Sequence, residues 1–363
     1  LRDRAFFIGP NASGKSNLLD AVRFLRDVAN PTGGGLQHAV AKRGGMVAVR
    51  CLAARRQPVV ALEAEIGDDA GPVWRYRVAF NARAGDARPF IAAETATLLS
   101  GEGGTVVLSR PDAQDEADPE RLTVTFLERP VTNHAFRDVA AFLQSVTYLH
   151  AVPQLIREPW RKGDAADDPY GGHLLAQMSE ATKRDREARL RRMNDALKIA
   201  VPQLDDLQLE VDREGVPHLK ANFRHWRGQG AWQREDQFSD GTLRLLGLIW
   251  ALTGKGGPLL LEEPELSLNA AVVAQLARVI WRAGRKRGRR QTLITTHSDD
   301  LIADEGIGLD EVFVLRPAPE GTEVRPSADI PEVCAMVAEG TPLAEAVSPL
   351  GRTRGAEQLA LFG

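Results

Sequence analysis

Short apolar runs alternate with helical periodicity at both ends of this chain, while the middle has a different texture. Ala5-Phe6-Phe7-Ile8 is a compact apolar run, and Leu18, Leu19, Val22 and Leu25 follow at a helical spacing. The same texture returns from about residue 236. The stretch 242–252 reads as a helix, Pro258-Leu259-Leu260-Leu261 as a buried strand and 270–282 as a helix. Residues 291–296 read as a strand, and 310–315 as a last strand before a polar tail. Helix and strand alternating in this way predict a mainly parallel sheet.

Between about 46 and 150 the pattern is β. Runs at 47–52, 59–66, 73–80, 105–108 and 122–126 are separated by Gly, Asp, Pro and Asn, which predicts an inserted antiparallel lobe. Residues 139–143 read as a helix and 145–149 as a strand. The segment 157–170 reads as an exposed loop, 172–200 as helical, and 207–211 with 218–223 as a hairpin. The expected organisation is therefore an α/β core in two parts, 1–45 and 236–316. An inserted β-rich lobe spans 46–150, a helical and hairpin subdomain 151–235, and a tail 317–363.

Residues 9–16 carry the first chemistry. Gly9-Pro10-Asn11-Ala12-Ser13-Gly14-Lys15-Ser16 has the G-x-x-x-x-G-K-S spacing of a phosphate-binding loop, set between a strand and a helix as that loop requires. Gly9 and Gly14 let the backbone turn its N–H groups inward, around Asn11, Ala12 and Ser13. Lys15 supplies a mobile charge for the β- and γ-phosphates. The Ser16 hydroxyl is placed to coordinate Mg²⁺, and Asn17 continues the helix start.

Four later stretches supply what such a loop lacks. Leu259-Leu260-Leu261-Glu262-Glu263-Pro264-Glu265 delivers two carboxylates at a strand end, the Walker B arrangement: Glu262 to hold Mg²⁺ and Glu263 to orient and deprotonate water. Phe238-Ser239-Asp240-Gly241-Thr242 precedes a helix. There Ser239 and the Gly241 N–H can meet a γ-phosphate, although Ser239 and Asp240 are also good helix caps. His297 follows the strand at 291–296, where a histidine can sense the γ-phosphate. Between them Leu266-Ser267-Leu268-Asn269 takes the place of a loop that crosses a dimer seam.

The words GPNASGKSNLLDA, FSDGTLRLL, LLLEEPELSL and ITTHSDDL resemble the ABC-type ATPases of the group that includes SMC heads, RecF and the overcoming-lysogenization-defect enzymes. More narrowly, the chain is similar to stand-alone AAA-family ATPases of bacteria. The resemblance covers roughly 1–45 and 236–316. It implies a P-loop NTPase of ABC-head type in which two subunits sandwich two ATP molecules, Lys15 and Ser16 acting in cis and Ser239 and Gly241 in trans. Glu262 stands where many relatives have Asp, and Asn269 where close relatives often have His. The glutamine of the metal shell has two weak candidates, Gln154 and Gln144.

Bulk properties narrow the remaining choices. The 363 residues carry a net charge of −3 and 43% hydrophobic residues, with two cysteines and no metal-ligand spacing between them. This fits a cytoplasmic protein with a real core and gives no global drive towards nucleic acid or membrane. No apolar run reaches the roughly 18–20 residues of a membrane span. No signal-peptide pattern opens the chain. It begins without Met just ahead of the phosphate loop, so a further strand or two is expected before residue 1. The mixed-sign run 183–192 reads better as a solvated helix face than as a nucleic-acid contact. Arg282, Arg285, Lys286, Arg287, Arg289 and Arg290 could touch DNA or form a solvated loop.

The 172–200 region is too short for an SMC-type coiled coil. The 66 residues after His297 are too few for a Toprim nuclease domain, so a nuclease effector would be a separate chain. The leading expectation is an ATP-hydrolysing, homodimerising switch that acts on a partner in phage defence or DNA repair. The alternatives are a nucleotide-gated scaffold with negligible hydrolysis and a RecF-like DNA-binding repair factor.

Overall fold

The computed structural model describes residues 1–51, 58–68, 70–83, 85–99, 103–158, 168–224, 231–285 and 290–352. Its strands, in chain order, are β1 Arg4–Ile8, β2 Val60–Asp68, β3 Gly71–Ala82, β4 Pro89–Leu98, β5 Thr105–Arg110, β6 Thr147–Leu149 and β7 Leu204–Val211. There follow β8 Pro217–Phe223, β9 Ala231–Arg234, β10 Leu259–Glu262, β11 Thr292–Thr295, β12 Val312–Ala318 and β13 Gly321–Pro326. The chain forms two compact units, one of 1–15, 147–316 and 324–363, the other of 16–146 and 317–323.

The first unit is built on a six-stranded sheet in the order β13-β12-β1-β11-β10-β6. From β12 to β6 every neighbouring pair is parallel. Phe6, Ile8, Leu259, Leu261, Ile294, Val312 and Val314 alternate along these strands and bury one face. They pack with Leu248 and Leu252 of the helix Asp240–Thr253 and with Val273, Leu276 and Ile280 of the helix Ala270–Arg285. A strand buried on both faces reads as a continuous apolar run, which is why Phe6-Phe7-Ile8 and Leu259-Leu260-Leu261 carry no polar residue. Parallel strands bring their carboxyl ends to one edge, so β1, β10 and β11 deliver the phosphate loop, the carboxylates and His297 to the same side.

The same unit carries a three-stranded antiparallel sheet, β7-β8-β9. Leu204, Leu219 and Ala221 from it pack with Met178, Met193 and Leu197 of the helices Leu174–Glu180 and Lys183–Ala200, and with Leu243, Leu246 and Ile249 of the helix Asp240–Thr253.

The second unit holds the antiparallel sheet β2-β3-β4-β5, as the 46–150 texture leads one to expect, over a core of Phe24, Val28, Leu36, Tyr76, Phe80, Leu127 and Phe136. Within it lies a charged cluster. Arg110, with no exposed side-chain surface, donates to Glu94 at 2.9 Å and to both oxygens of Asp115 at 2.9 Å, and also reaches the carbonyls of Arg121 and Val124. Glu94 also accepts from the Tyr76 hydroxyl and from the Phe126 and Leu127 N–H groups. Every lone pair is matched, the condition under which buried charges are tolerated.

Several elements differ from expectation. The run at 47–52, expected as a strand, begins as a helical turn, Met46–Val49, entered through Gly44 and Gly45 at positive φ. Only Met46 of that turn is buried and Val47 is exposed, so its alternation serves no sheet face; residues 52–57 lie outside the described ones. The run at 122–126 overlaps a 3-10 turn, Pro119–Thr123. β4 was not expected, because Ala92-Ala93-Glu94-Thr95-Ala96-Thr97 is weakly apolar and its buried side chains include Glu94. The segment after 310–315, read from the sequence only as a polar tail, contains β13 and the helices Pro331–Ala338 and Leu343–Gly351, which contribute Val333 and Val347 to the sheet core.

Candidate active site

β1 is buried at every residue and ends where the phosphate loop begins. Ala12 and Gly14 take positive φ, and Ser13 N donates back to the Pro10 carbonyl at 3.2 Å, which closes the loop. A Cβ at Gly9 would lie 2.5 Å from the Leu315 carbonyl oxygen and 2.6 Å from Ser13 Oγ, so no other residue fits there. The Lys15 ammonium folds over the loop, donating to the carbonyls of Gly9 at 2.9 Å and Pro10 at 3.1 Å. Burial lowers its pKa, while the charges of Glu263, Glu262 and Glu265 oppose that shift. Asn11 and Ala12 are exposed at the crest, and Ser16 and Asn17 are exposed in the first turn of the helix Lys15–Ala29.

Opposite the loop in sequence, β10 carries Glu262 level with Thr295 of β11. Tyr148 of β6 donates its hydroxyl to Glu262 Oε2. Glu263 leaves the strand in a left-handed turn, φ 43°, with its N–H on the Thr295 carbonyl at 3.0 Å. Its Oε1 lies 3.3 Å from His297 Nε2. Burial holds His297 below the usual histidine pKa; the Lys15 charge adds to this and Glu263 opposes it.

Glu265 completes the cluster, a carboxylate to which the motifs alone assign no role. Buried, it accepts from Thr296 Oγ1 at 2.6 Å and from His297 N at 3.2 Å, and burial raises its pKa. It thereby fixes the backbone that presents His297. Its position in the quoted word LLLEEPELSL was the available signal. Tyr148, by contrast, looks like any aromatic strand residue.

Ser239 is the N-cap of the helix Asp240–Thr253, its Oγ accepting from Thr242 N at 3.2 Å. The capping and phosphate readings thus concern one geometry. Gly241 presses on the neighbouring turn, where a Cβ would stand 2.5 Å from the Ser267 carbonyl oxygen. Asn269 Oδ1 accepts from Ala271 N at 2.9 Å and starts the helix Ala270–Arg285. Of the two glutamine candidates, Gln144 donates to the Ala29 carbonyl at 2.7 Å, a structural contact, and Gln154 is exposed in the short helix Pro153–Ile156. In the basic run, Arg290 is spent on the carbonyls of Gly257 and Ala251 and Arg285 stacks over Trp281. Lys286, Arg287 and Arg289 lie outside the described residues.

The oxygen donors here suit a hard divalent cation, and the loop at Gly9 is shaped by backbone with no space for a side chain. Both features fit a magnesium nucleotide.

Residues 4–304 match the family described as "AAA domain, putative AbiEii toxin, Type IV TA system". No curated protein matches the sequence. Among solved structures, an Smc head bound to the C-winged helix domain of ScpA superposes with a TM-score of 0.53 at 15% identity, covering 89% of each chain. The head of a Pyrococcus furiosus Smc with an extended coiled coil, bound to the C-terminal domain of ScpA, gives 0.45 at 12% identity over 92% of this chain and 93% of that one. The SMC head domain from Thermotoga maritima gives 0.38 at 13% identity over 89% and 90%. At such identities the first of these speaks for the fold alone. With the family match spanning most of its length, the chain belongs to this AAA-domain family and is an ATP-binding ATPase on an SMC-head fold.

Proposed function

We propose that this protein hydrolyses ATP and that two copies close around two nucleotides, coupling nucleotide state to a partner protein. The observation that carries this reading is the convergence of Lys15, Glu262, Glu263 and His297 at one sheet edge, with Glu263 Oε1 3.3 Å from His297 Nε2. Bound magnesium would polarise the phosphates; Ser16 and Glu262 are the residues to hold it. Lys15 exchanges its loop carbonyls for phosphate oxygens. Glu263 orients water and takes its proton, and an uncharged His297 steadies the arrangement. The N–H groups at the start of the helix Asp240–Thr253, with Ser239 and Gly241, would face the nucleotide of the second copy.

The Smc head seated on a ScpA domain is the ground for an effector subunit, and the family description, which names a "putative AbiEii toxin, Type IV TA system", accompanies phage defence or DNA repair as the proposed setting. A separate nuclease is one such effector, and DNA a further candidate ligand. The test is Mg²⁺-dependent ATP turnover beside Glu263→Gln, with molar mass followed in both. Turnover abolished in the variant with an ATP-dependent dimer supports the reading, and undiminished turnover removes Glu263 from its role. One observation favours the scaffold alternative: Glu262 is already engaged by Tyr148. ATP-dependent dimers without measurable turnover would select it.

A further inference from the structure

Arg157 sits at the end of the short helix Pro153–Ile156, just after β6, and reaches the segment that opens the helix Asp240–Thr253. Its Nη2 donates to the Phe238 carbonyl at 2.7 Å and to Asp240 Oδ1 at 2.6 Å. These two acceptors bracket Ser239. We propose that Arg157 is a positioning residue for the nucleotide of the opposite subunit, holding Ser239 and Gly241 in register and neutralising Asp240. The proposal rests on the sandwich reading above.

The electrostatics give the reason. Asp240 lies in the first turn of its helix, where a carboxylate suits the helix dipole. A γ-phosphate aimed at the same N–H groups would meet that negative charge at close range. A guanidinium on Asp240 removes the conflict, and its second bond fixes the backbone just ahead of Ser239. The far end of the helix is anchored without Arg157: Arg189 donates to the Trp250 carbonyl at 2.6 Å and Arg290 to that of Ala251 at 2.8 Å. Loss of Arg157 therefore releases the phosphate-facing end of a helix that stays in place.

The experiment uses the full chain carrying Glu263→Gln, with Mg²⁺, measuring molar mass by light scattering and binding of a fluorescent ATP analogue. Arg157→Gln is expected to bind nucleotide within about twofold of its parent while its dimerisation weakens roughly tenfold or more, the range for loss of charge-assisted hydrogen bonds. Arg157→Lys keeps a charge and a donor and should recover most of that loss. Adding Asp240→Asn to Arg157→Gln should recover part of it, which simple misfolding would not. With Glu263 intact, mixing Arg157→Gln with Lys15→Ala chains should raise turnover above that of either variant alone, because one composite site is then whole. Dimerisation of Arg157→Gln equal to its parent overturns the clamp alone, as does a parallel loss of nucleotide binding without recovery by Asp240→Asn. A parent that stays monomeric with ATP overturns the sandwich reading and the clamp with it.

Discussion

The imidazole of His297 and the carboxylate of Glu263 meet 3.3 Å apart, each leaving the end of a neighbouring parallel strand. Neither is held by its own strand alone: Glu263 hangs from the Thr295 carbonyl, and the His297 backbone is tied to Glu265. Replacing Glu263 by Gln keeps the shape and removes the base. Turnover should fall by about 10²-fold or more, with nucleotide binding retained. Single-turnover hydrolysis beside equilibrium binding checks this, and parallel losses of both would refute it.

The pH response of His297 has a defined sign. Burial and the Lys15 charge favour the neutral ring, and Glu263 favours the charged one. Lys15→Met should therefore raise the His297 pKa and Glu263→Gln should lower it, read from its ring protons by NMR titration. In the unaltered protein the ring stays neutral below the ordinary histidine value of about 6.5, so any acid limb of turnover owed to it lies under that pH.

Glu128, in the second unit, has a pKa pushed up to about 7, chiefly by burial and further by the charge of Glu94, against hydrogen bonds from Leu36 N and Thr125. The folded state therefore holds a proton that the unfolded chain releases near 4.5. This stabilisation is full below the unfolded value and is lost as pH rises through about 7, a contribution of roughly 3 kcal/mol at most. Thermal melts from pH 5 to 8 should fall more steeply for the parent than for Glu128→Gln. Equal slopes would show that Glu128 titrates normally.

Arg110 holds together Glu94 and Asp115 where neither side chain reaches solvent. Arg110→Met should leave two buried carboxylates unmatched and cost about 3–5 kcal/mol in urea titrations. A loss under about 1 kcal/mol would mean that water enters the cluster.

Gly241→Ala places a methyl group 2.5 Å from the Ser267 carbonyl oxygen. Overpacking of this kind costs about 1–3 kcal/mol. The affected backbone opens the helix assigned to the opposite nucleotide, so ATP-dependent dimerisation should fall while binding to the isolated chain persists. Sedimentation with and without ATP separates the two effects.

The site was legible where the chemistry is local. Gly9 to Ser16 and Glu262-Glu263 are contiguous words, and their strands are apolar runs that periodicity detects. What escaped depends on partners distant in sequence. Glu94 and Arg110 are 16 positions apart and look like surface charges until the sheet closes over them. Arg157 read as one cation in a charged loop, since nothing local marks its contact with Asp240, 83 positions away. The helices after β13 bury few apolar side chains each, too sparse a stripe to set them apart from a polar tail.

The close approach of Gly241 to Ser267 divides the freedom to vary unequally between the two positions. The obstructing atom is the main-chain oxygen of Ser267, which no replacement at 267 removes. Position 241 can therefore drift nowhere from glycine. Position 267, at φ 61°, remains open to Asn, Asp or Gly, the residues that accept a left-handed turn. A library randomised at both positions should return a fixed letter at the first and a small alphabet at the second.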